Sequence, residues 1–276
     1  FLGLTGPEVF EHEGHLALVF QLQKCDLRSG LRKYGQGKGL PIGLVRNYAR
    51  NIFMALRALR RVNVIHSDLK PDNLLISLDK ASVKLSDFGS AMDAAEQVKA
   101  ADSLQPRFYR APEVMLGQAY TTQIDVWSAG ATIFELATGR FLFTGKTNND
   151  MLHDMLSKLG AFPRAFAAAG DFSKKHFDQS ADGAFRHGAE SGPSVQVKLL
   201  ARDKFPRPAR PLWEPLDDVL QLGECAPDHA GMLAAKGLCE LVCACVTPDP
   251  AVRVTPEAAL ASRFLRPSGS GSSNPP

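Results

Sequence analysis

Apolar and polar residues alternate near the start of the chain, and the period then changes. Val9-Phe10-Glu11-His12 and His15-Leu16-Ala17-Leu18-Val19-Phe20 flank Glu13-Gly14, which predicts two short strands joined by a tight reversal. From about Pro41 the residues Val45, Tyr48, Ile52, Leu56 and Leu59 fall three and four apart, predicting an amphipathic helix to about Arg61. Val64-Ile65-His66, Leu74-Leu75-Ile76 and Val83-Lys84-Leu85 read as short extended pieces bracketing a loop. Beyond Pro112 the pattern is mostly helical. Asp125 to Leu136 is apolar nearly all round, which predicts a helix buried within the domain, and Met151 to Leu159 predicts a shorter amphipathic one. Residues 180–211 are rich in Gly, Pro and Ser and are assigned as loop. Two further helices are expected near 229–246 and 255–261, the second starting at Thr255-Pro256-Glu257 with Thr as cap and Pro at the first position. The Ser/Gly/Pro-rich tail, 266–276, is expected to be disordered.

Composition narrows the picture only in places. A length of 276 residues suffices for one large domain or two modest ones with a real core. The net charge of +3 is spread through the chain with no long basic run, so direct nucleic-acid binding is not implied. No apolar stretch approaches the roughly 18 residues that span a bilayer, so no membrane association is expected. The first residue is Phe1, and the chain reads as a fragment of something longer. Cys239, Cys243 and Cys245 sit among Leu and Val without a second Cys or His cluster at zinc-ligand spacing. They are read as core cysteines of a reduced intracellular protein.

The chemistry concentrates in residues 66–89, HSDLKPDNLLISLDKASVKLSDFG. Asp68 offers a carboxylate to orient a hydroxyl, Lys70 a cation for a phosphate, and Asn73 and Asp87 two oxygen ligands for magnesium, the parts phosphoryl transfer uses. Ala111-Pro112-Glu113 follows, then Asp125 and Trp127 at the start of the apolar helix, then Arg253. This ordered set resembles the eukaryotic protein kinases, whose catalytic-loop and D-F-G signatures it reproduces. The resemblance implies an α+β, protein-kinase-like fold, here mainly the helical C-terminal lobe with two strands and a hinge of the N-terminal lobe. It divides the chain into 1–23 (partial N-lobe), 24–265 (C-lobe) and the tail.

Roles follow from the same resemblance. Asp68 is the expected catalytic base, Lys70 balances charge on the transferring group, and Asn73 and Asp87 hold Mg2+ against the phosphates of ATP. Phe20 falls at the gatekeeper position, the backbone of Gln21 and Gln23 would bond the purine, Asp26 the ribose, and Leu75 would form the apolar floor. Phe88, Gly89, Ser103 and Glu113 belong to the activation segment, with Glu113 expected to pair with Arg253. His66 is read as a structural histidine beneath the loop.

Arg107-Phe108-Tyr109-Arg110-Ala111-Pro112-Glu113 resembles the CMGC group, in which the arginine at position 110 helps favour proline after the phosphoacceptor. The segments Gly139 to Asn149, Lys158-Leu159-Gly160 and His176-Phe177-Asp178-Gln179 are similar to the DYRK-related branch of pre-mRNA-splicing kinases. That implies a nuclear, monomeric serine/threonine kinase whose protein substrates include spliceosomal components. Three departures stand out. Ser67 replaces the arginine that reads a phosphorylated activation loop, so switching by that device is not expected. Ser103 stands where related kinases carry an autophosphorylated tyrosine, and Gln21 replaces the hinge glutamate. The Gly-rich loop, the N-lobe lysine and the regulatory-helix glutamate are expected upstream of residue 1, so this polypeptide alone is expected to be inactive or nearly so. The competing reading is a non-catalytic kinase-like scaffold, disfavoured because a scaffold has no physical need for Asp68, Lys70, Asn73 and Asp87 together.

Overall fold

Residues 4–95, 104–180, 182–190, 196–208, 212 and 229–266 are described by the computed structural model. The expected hairpin forms. β1 (Leu4–His12) pairs antiparallel with β2 (His15–Phe20) in the register Val9↔Leu18 to His12↔His15. Glu13 (φ 50°) and Gly14 (φ 76°) are both left-handed, the geometry that lets a two-residue turn follow the twist of its strands.

The chain then enters β3 (Cys25–Asp26) and α1 (Leu27–Gly35), a helix absent from the sequence-based expectation. The predicted long helix is α2 (Ile42–Arg61), with Val45, Tyr48, Ile52, Leu56 and Leu59 on its buried face. Next come β4 (Val64–Ile65), a 3-10 turn at Pro71–Asn73, β5 (Leu74–Ile76), β6 (Val83–Leu85) and β7 (Met92–Asp93). β3, β5 and β6 form a three-stranded sheet in that order, and β4 pairs with β7.

The rest is largely helical: α3 (Pro112–Met115), α4 (Gln123–Thr138), α5 (Asn148–Leu159), α6 (Arg164–Ala168), α7 (Ser173–His176), α8 (His229–Cys245) and α9 (Pro256–Leu260). α4 is buried along nearly its whole length and packs against α2 and α8, as its all-round apolar pattern requires. Its Trp127 is fully buried and stacks on Phe143 with ring centroids 5.5 Å apart. Gly130 leaves room for α8: a Cβ there would lie 2.6 Å from Cys245 Cβ. Thr255 caps α9 by accepting from the Ala258 amide, as its sequence signature predicts.

One expectation is overturned. Residues 180–211, read as loop, contain an antiparallel pair, β8 (Phe185–His187) and β9 (Lys198–Leu200), and a 3-10 turn at Arg202–Lys204. Three-residue strands are too short to show a period. Tertiary contact fixes them instead: Phe185 is buried among Phe177, Phe205 and His153. The tail from 267 onward and Ser103 lie outside the described residues.

Of the three cysteines read as core, Cys239 and Cys245 are buried and Cys243 is half-buried. Among the described residues no helix is long and apolar enough to cross a membrane.

Candidate active site

The loop after β4 is held from below by one buried carboxylate. Asp125, in the first turn of α4, accepts the His66 amide at 2.7 Å and the Ser67 amide at 2.9 Å. Burial pushes the Asp125 carboxyl up to about 6, and those two amide bonds oppose the shift. Ser67 takes a left-handed backbone (φ 62°), and its hydroxyl donates to the Ser90 carbonyl at 2.7 Å. His66 is fully buried, bridges to the Ser86 carbonyl through Nε2 at 3.0 Å and accepts the Asp68 amide on Nδ1 at 3.2 Å. That is the structural role read from the sequence.

Above this base the polar side chains converge. Lys70 Nζ donates to both Asp68 oxygens, at 2.8 and 2.9 Å. Asn73 Nδ2 donates to the Asp68 carbonyl at 2.8 Å and to its Oδ2 at 2.7 Å, and the amide oxygen of Asn73 remains as an acceptor. The β5–β6 hairpin then brings the second aspartate to the same end. Leu74 lies opposite Leu85, and the Asn73 carbonyl accepts both the Ser86 amide (2.9 Å) and the Ser86 hydroxyl (3.0 Å). Asp87 follows directly, left-handed at φ 60°, with Oδ1 accepting the Gly89 amide at 3.3 Å. Phe88 packs edge-on against His66, centroids 5.1 Å apart, and β4–β7 pairing continues the tie between the catalytic loop and the segment after Gly89.

The donor set suits a hard divalent cation. The Asn73 amide oxygen and the exposed Asp87 carboxylate are oxygen ligands, and magnesium characteristically takes one or two protein oxygens plus phosphates and water. Among the described residues no cluster of three or more His, Cys, Asp or Glu could hold an ion unaided.

The expected adenine side is only partly assembled. Asp26 and Leu75 are direct cross-strand partners, and the Lys24 amide bonds the Ile76 carbonyl at 2.8 Å, so the hinge exit lies against the proposed floor. Asp26, however, caps α1: its two oxygens accept the Ser29 amide and hydroxyl, each at 2.7 Å. Burial would raise its pKa, but those bonds outweigh burial and the carboxyl lies below its ordinary range. Gln23 Nε2 donates to the Gln21 carbonyl at 2.9 Å, and Lys84 donates to the Gln21 side chain. Phe20 is exposed.

On the other side Arg110 is buried, and its guanidinium binds the Gln105 carbonyl from Nε (3.2 Å) and Nη2 (2.8 Å) and Asn148 Oδ1 at 2.7 Å. Gln105 is itself left-handed (φ 67°), and its side chain is clamped to Ile124, Ser128 and Ala111. Glu113 and Arg253 form the expected pair, fork to fork at 2.6 and 2.8 Å and fully enclosed, with the guanidinium over the Trp127 ring. The sequence reading missed Arg28, Tyr109 and Glu135, which meet beside the catalytic loop from three distant segments. Only the all-apolar setting of Glu135 hinted that this carboxylate needs a buried partner.

Comparison with known proteins agrees with this geometry. A family model described as "Protein kinase domain" matches residues 5–265. The chain is 38% identical to serine/threonine-protein kinase prp4 of Schizosaccharomyces pombe over 256 residues, covering 93% of this chain and 52% of that protein. It is 35% identical to serine/threonine-protein kinase prpf4B of Dictyostelium discoideum over 262 residues, 94% of this chain and 31% of the relative. Dual specificity tyrosine-phosphorylation-regulated kinase 3 of Homo sapiens is 40% identical over 157 residues, 56% of this chain and 26% of that protein. The chain thus spans about half or less of the length of these relatives. With a family model matched almost end to end, the chain belongs to the protein kinase domain family.

Proposed function

We propose that this chain carries the catalytic loop and substrate-binding part of a serine/threonine protein kinase that moves the ATP γ-phosphoryl group to a protein hydroxyl. The observation that carries the reading is the convergence of Lys70 and Asn73 on the Asp68 carboxylate, with Asp87 brought alongside by the Asn73–Ser86 bonds. Asp68 is held by two donors; its Oδ1, which accepts only from Lys70, keeps a lone pair for the incoming hydroxyl and takes up its proton as base. Lys70 shifts its charge toward the phosphoryl oxygens as they approach. Asn73 and Asp87 would hold Mg2+, which supplies charge neutralisation on the nucleotide phosphates. Arg110 occupies the Gln105 carbonyl, so a substrate amide after the acceptor finds that acceptor taken, and proline, which has no N–H, loses nothing there.

Residues 1–23 are the last strands and hinge of a small N-terminal lobe, 24–265 the large helical lobe, and 266–276 a tail. Phe20, Gln21, Gln23 and Leu75 border the purine. Asp26 reaches the ribose only by giving up one bond to Ser29. The motif resemblance to the splicing-kinase branch supports reading the protein as a monomeric nuclear enzyme acting on splicing proteins. The Gly-rich loop, the N-lobe lysine and its glutamate partner have no counterpart in these 276 residues, and full catalysis needs them.

The test is a phosphotransfer assay on the kinase extended to include those elements, with a Ser-Pro peptide and ATP. Asp68→Asn should lower kcat by about 10²- to 10⁴-fold, the usual worth of a positioned acid–base group, and Asp87→Asn should lower activity by weakening the hold on Mg2+. Undiminished activity in both would overturn the assignment. An upstream reading frame lacking G-x-G-x-x-G and an Ala-x-Lys strand would instead favour the scaffold.

A further inference from the structure

A cavity of about 550 Å3 opens beside the catalytic loop. Asp72, between Lys70 and Asn73, stands at its rim, and Leu31, Arg32 and Phe141 line it. Glu135 of α4 also contributes to its lining, 3% exposed, with both oxygens engaged: Arg28 Nη1 donates to Oε1, and the Tyr109 hydroxyl donates to Oε2 at 2.5 Å. Arg28 Nη2 also donates to the Tyr109 hydroxyl at 2.5 Å, its Nε reaches Asp72 at 3.3 Å, and its guanidinium sits over Phe141, 5.4 Å from the ring centre. Burial alone would depress Arg28, but its bonds to Glu135 outweigh that, and its pKa rises.

Arg28 thus does what an arginine of a bound peptide would do: it forks onto a buried carboxylate, stacks on an aromatic ring and contacts a rim aspartate. The space around it is large enough for a side chain, yet Glu135 is already neutralised. Arg32, one turn along α1, adds a second positive charge to the lining.

We propose that Arg28 is a specificity-determining residue that fills, from within the chain, a cation subsite of the peptide groove. Substrates with Arg or Lys at the position facing this cavity gain nothing from Glu135. Removing Arg28 uncovers the carboxylate and changes the lining from two cations against two carboxylates to one against two. The inference rests on the kinase reading, and its test separates the two.

Ser-Pro peptides carrying either Ala or Arg at each position flanking the serine are compared on the extended kinase. The readout is the ratio of kcat/KM for the Arg peptide to that for its Ala parent, which cancels any change in overall rate. Wild type should give ratios near or below unity. Arg28→Met, which keeps an unbranched stem against Phe141, should raise the ratio about tenfold at one position, and Arg28→Met/Glu135→Gln should abolish that gain. An unchanged ratio at every position in Arg28→Met, or a gain that survives Glu135→Gln, overturns the proposal. If no Ala peptide is turned over by wild type, the kinase reading is what fails. The proposal is then decided by fluorescence anisotropy of the same labelled peptides on this chain, with the same pattern expected in Kd. If Arg28→Met does not melt cooperatively, Arg28→Lys, whose single ammonium frees part of the carboxylate, should show a smaller gain in the same ratio, and no gain rejects the proposal.

Discussion

The catalytic loop and the β1–β2 hairpin are both short, both end in tight turns, and both contribute to the same expected cleft, yet they are held in opposite ways. The loop is bonded to elements far along the chain: Asp125 grips its backbone, Ser86 and Ser90 tie it to the following segment, and Phe88 closes over His66. Among the described residues the hairpin has its own ladder and little else. Val9, Phe10, Leu16, Leu18, Val19 and Phe20 are all at least 41% exposed, on both faces of the ribbon. A lone two-stranded ribbon is marginal in water, and its unpaired edges invite further strands. The contrast teaches that the loop carrying Asp68, Lys70 and Asn73 is preorganised by the helical body, whereas the hairpin takes no comparable support from it.

Mutations grade that contrast. The largest loss of stability should come from Glu113→Ala, which leaves the enclosed Arg253 guanidinium without its carboxylate and should cost about 3–5 kcal/mol in urea denaturation. A cost under about 1 kcal/mol would show that the body is not the rigid partner in the comparison. Asp125→Asn should cost about 1–3 kcal/mol, since an amide has one oxygen to offer where two backbone N–H groups are held. Hydrogen exchange at His66 and Ser67 should accelerate with it. Ser67→Ala removes only the bond to Ser90 and should cost about 0.5–1.5 kcal/mol, with faster exchange confined to the segment after Asp87. Leu16→Ser and Leu18→Ser should each stay within about 0.5 kcal/mol in this chain, because those side chains are already exposed. Losses as large as that of Asp125→Asn would mean that the hairpin is covered, and the comparison would break.

The smallest effect concerns the late hairpin, β8–β9. His153 on α5 stacks on His187 of β8, centroids 4.3 Å apart, and burial, reinforced by His187, holds its pKa below the ordinary histidine value. The unfolded chain then binds the proton first, so this contact's contribution is complete above about pH 6.5 and is lost as pH falls. Asp125, shifted upward, works in the opposite sense below pH 6. The informative quantity is therefore the difference between variants. His153→Phe should lose less Tm than wild type between pH 7.5 and pH 5.5, and equal losses would remove His153 from the account.

Much of this molecule was legible in one dimension. Loops with fixed spacing, such as Asp68-x-Lys70-x-x-Asn73, are short enough that local geometry alone sets which side chains can meet. The Glu13-Gly14 turn, the buried helix α4 and the cap at Thr255 rest on equally local rules. Asp26 shows the limit of such reading: chosen for a ligand, it is engaged as the cap of a helix that the periodicity did not reveal.

The sequence by itself determined the protein-kinase resemblance, the first hairpin, α2 and the central helix, because each is written in spacings of a few residues. Only the tertiary structure decided that Arg28 meets Glu135 across 107 positions, that Arg110 takes the carbonyl of a left-handed Gln105, that Ser67 latches Ser90, and that residues 185–200 include a strand pair. Those contacts depend on where the packed body places distant backbone, and a buried charge or carbonyl accepts whichever partner arrives there, so no local pattern could name it in advance.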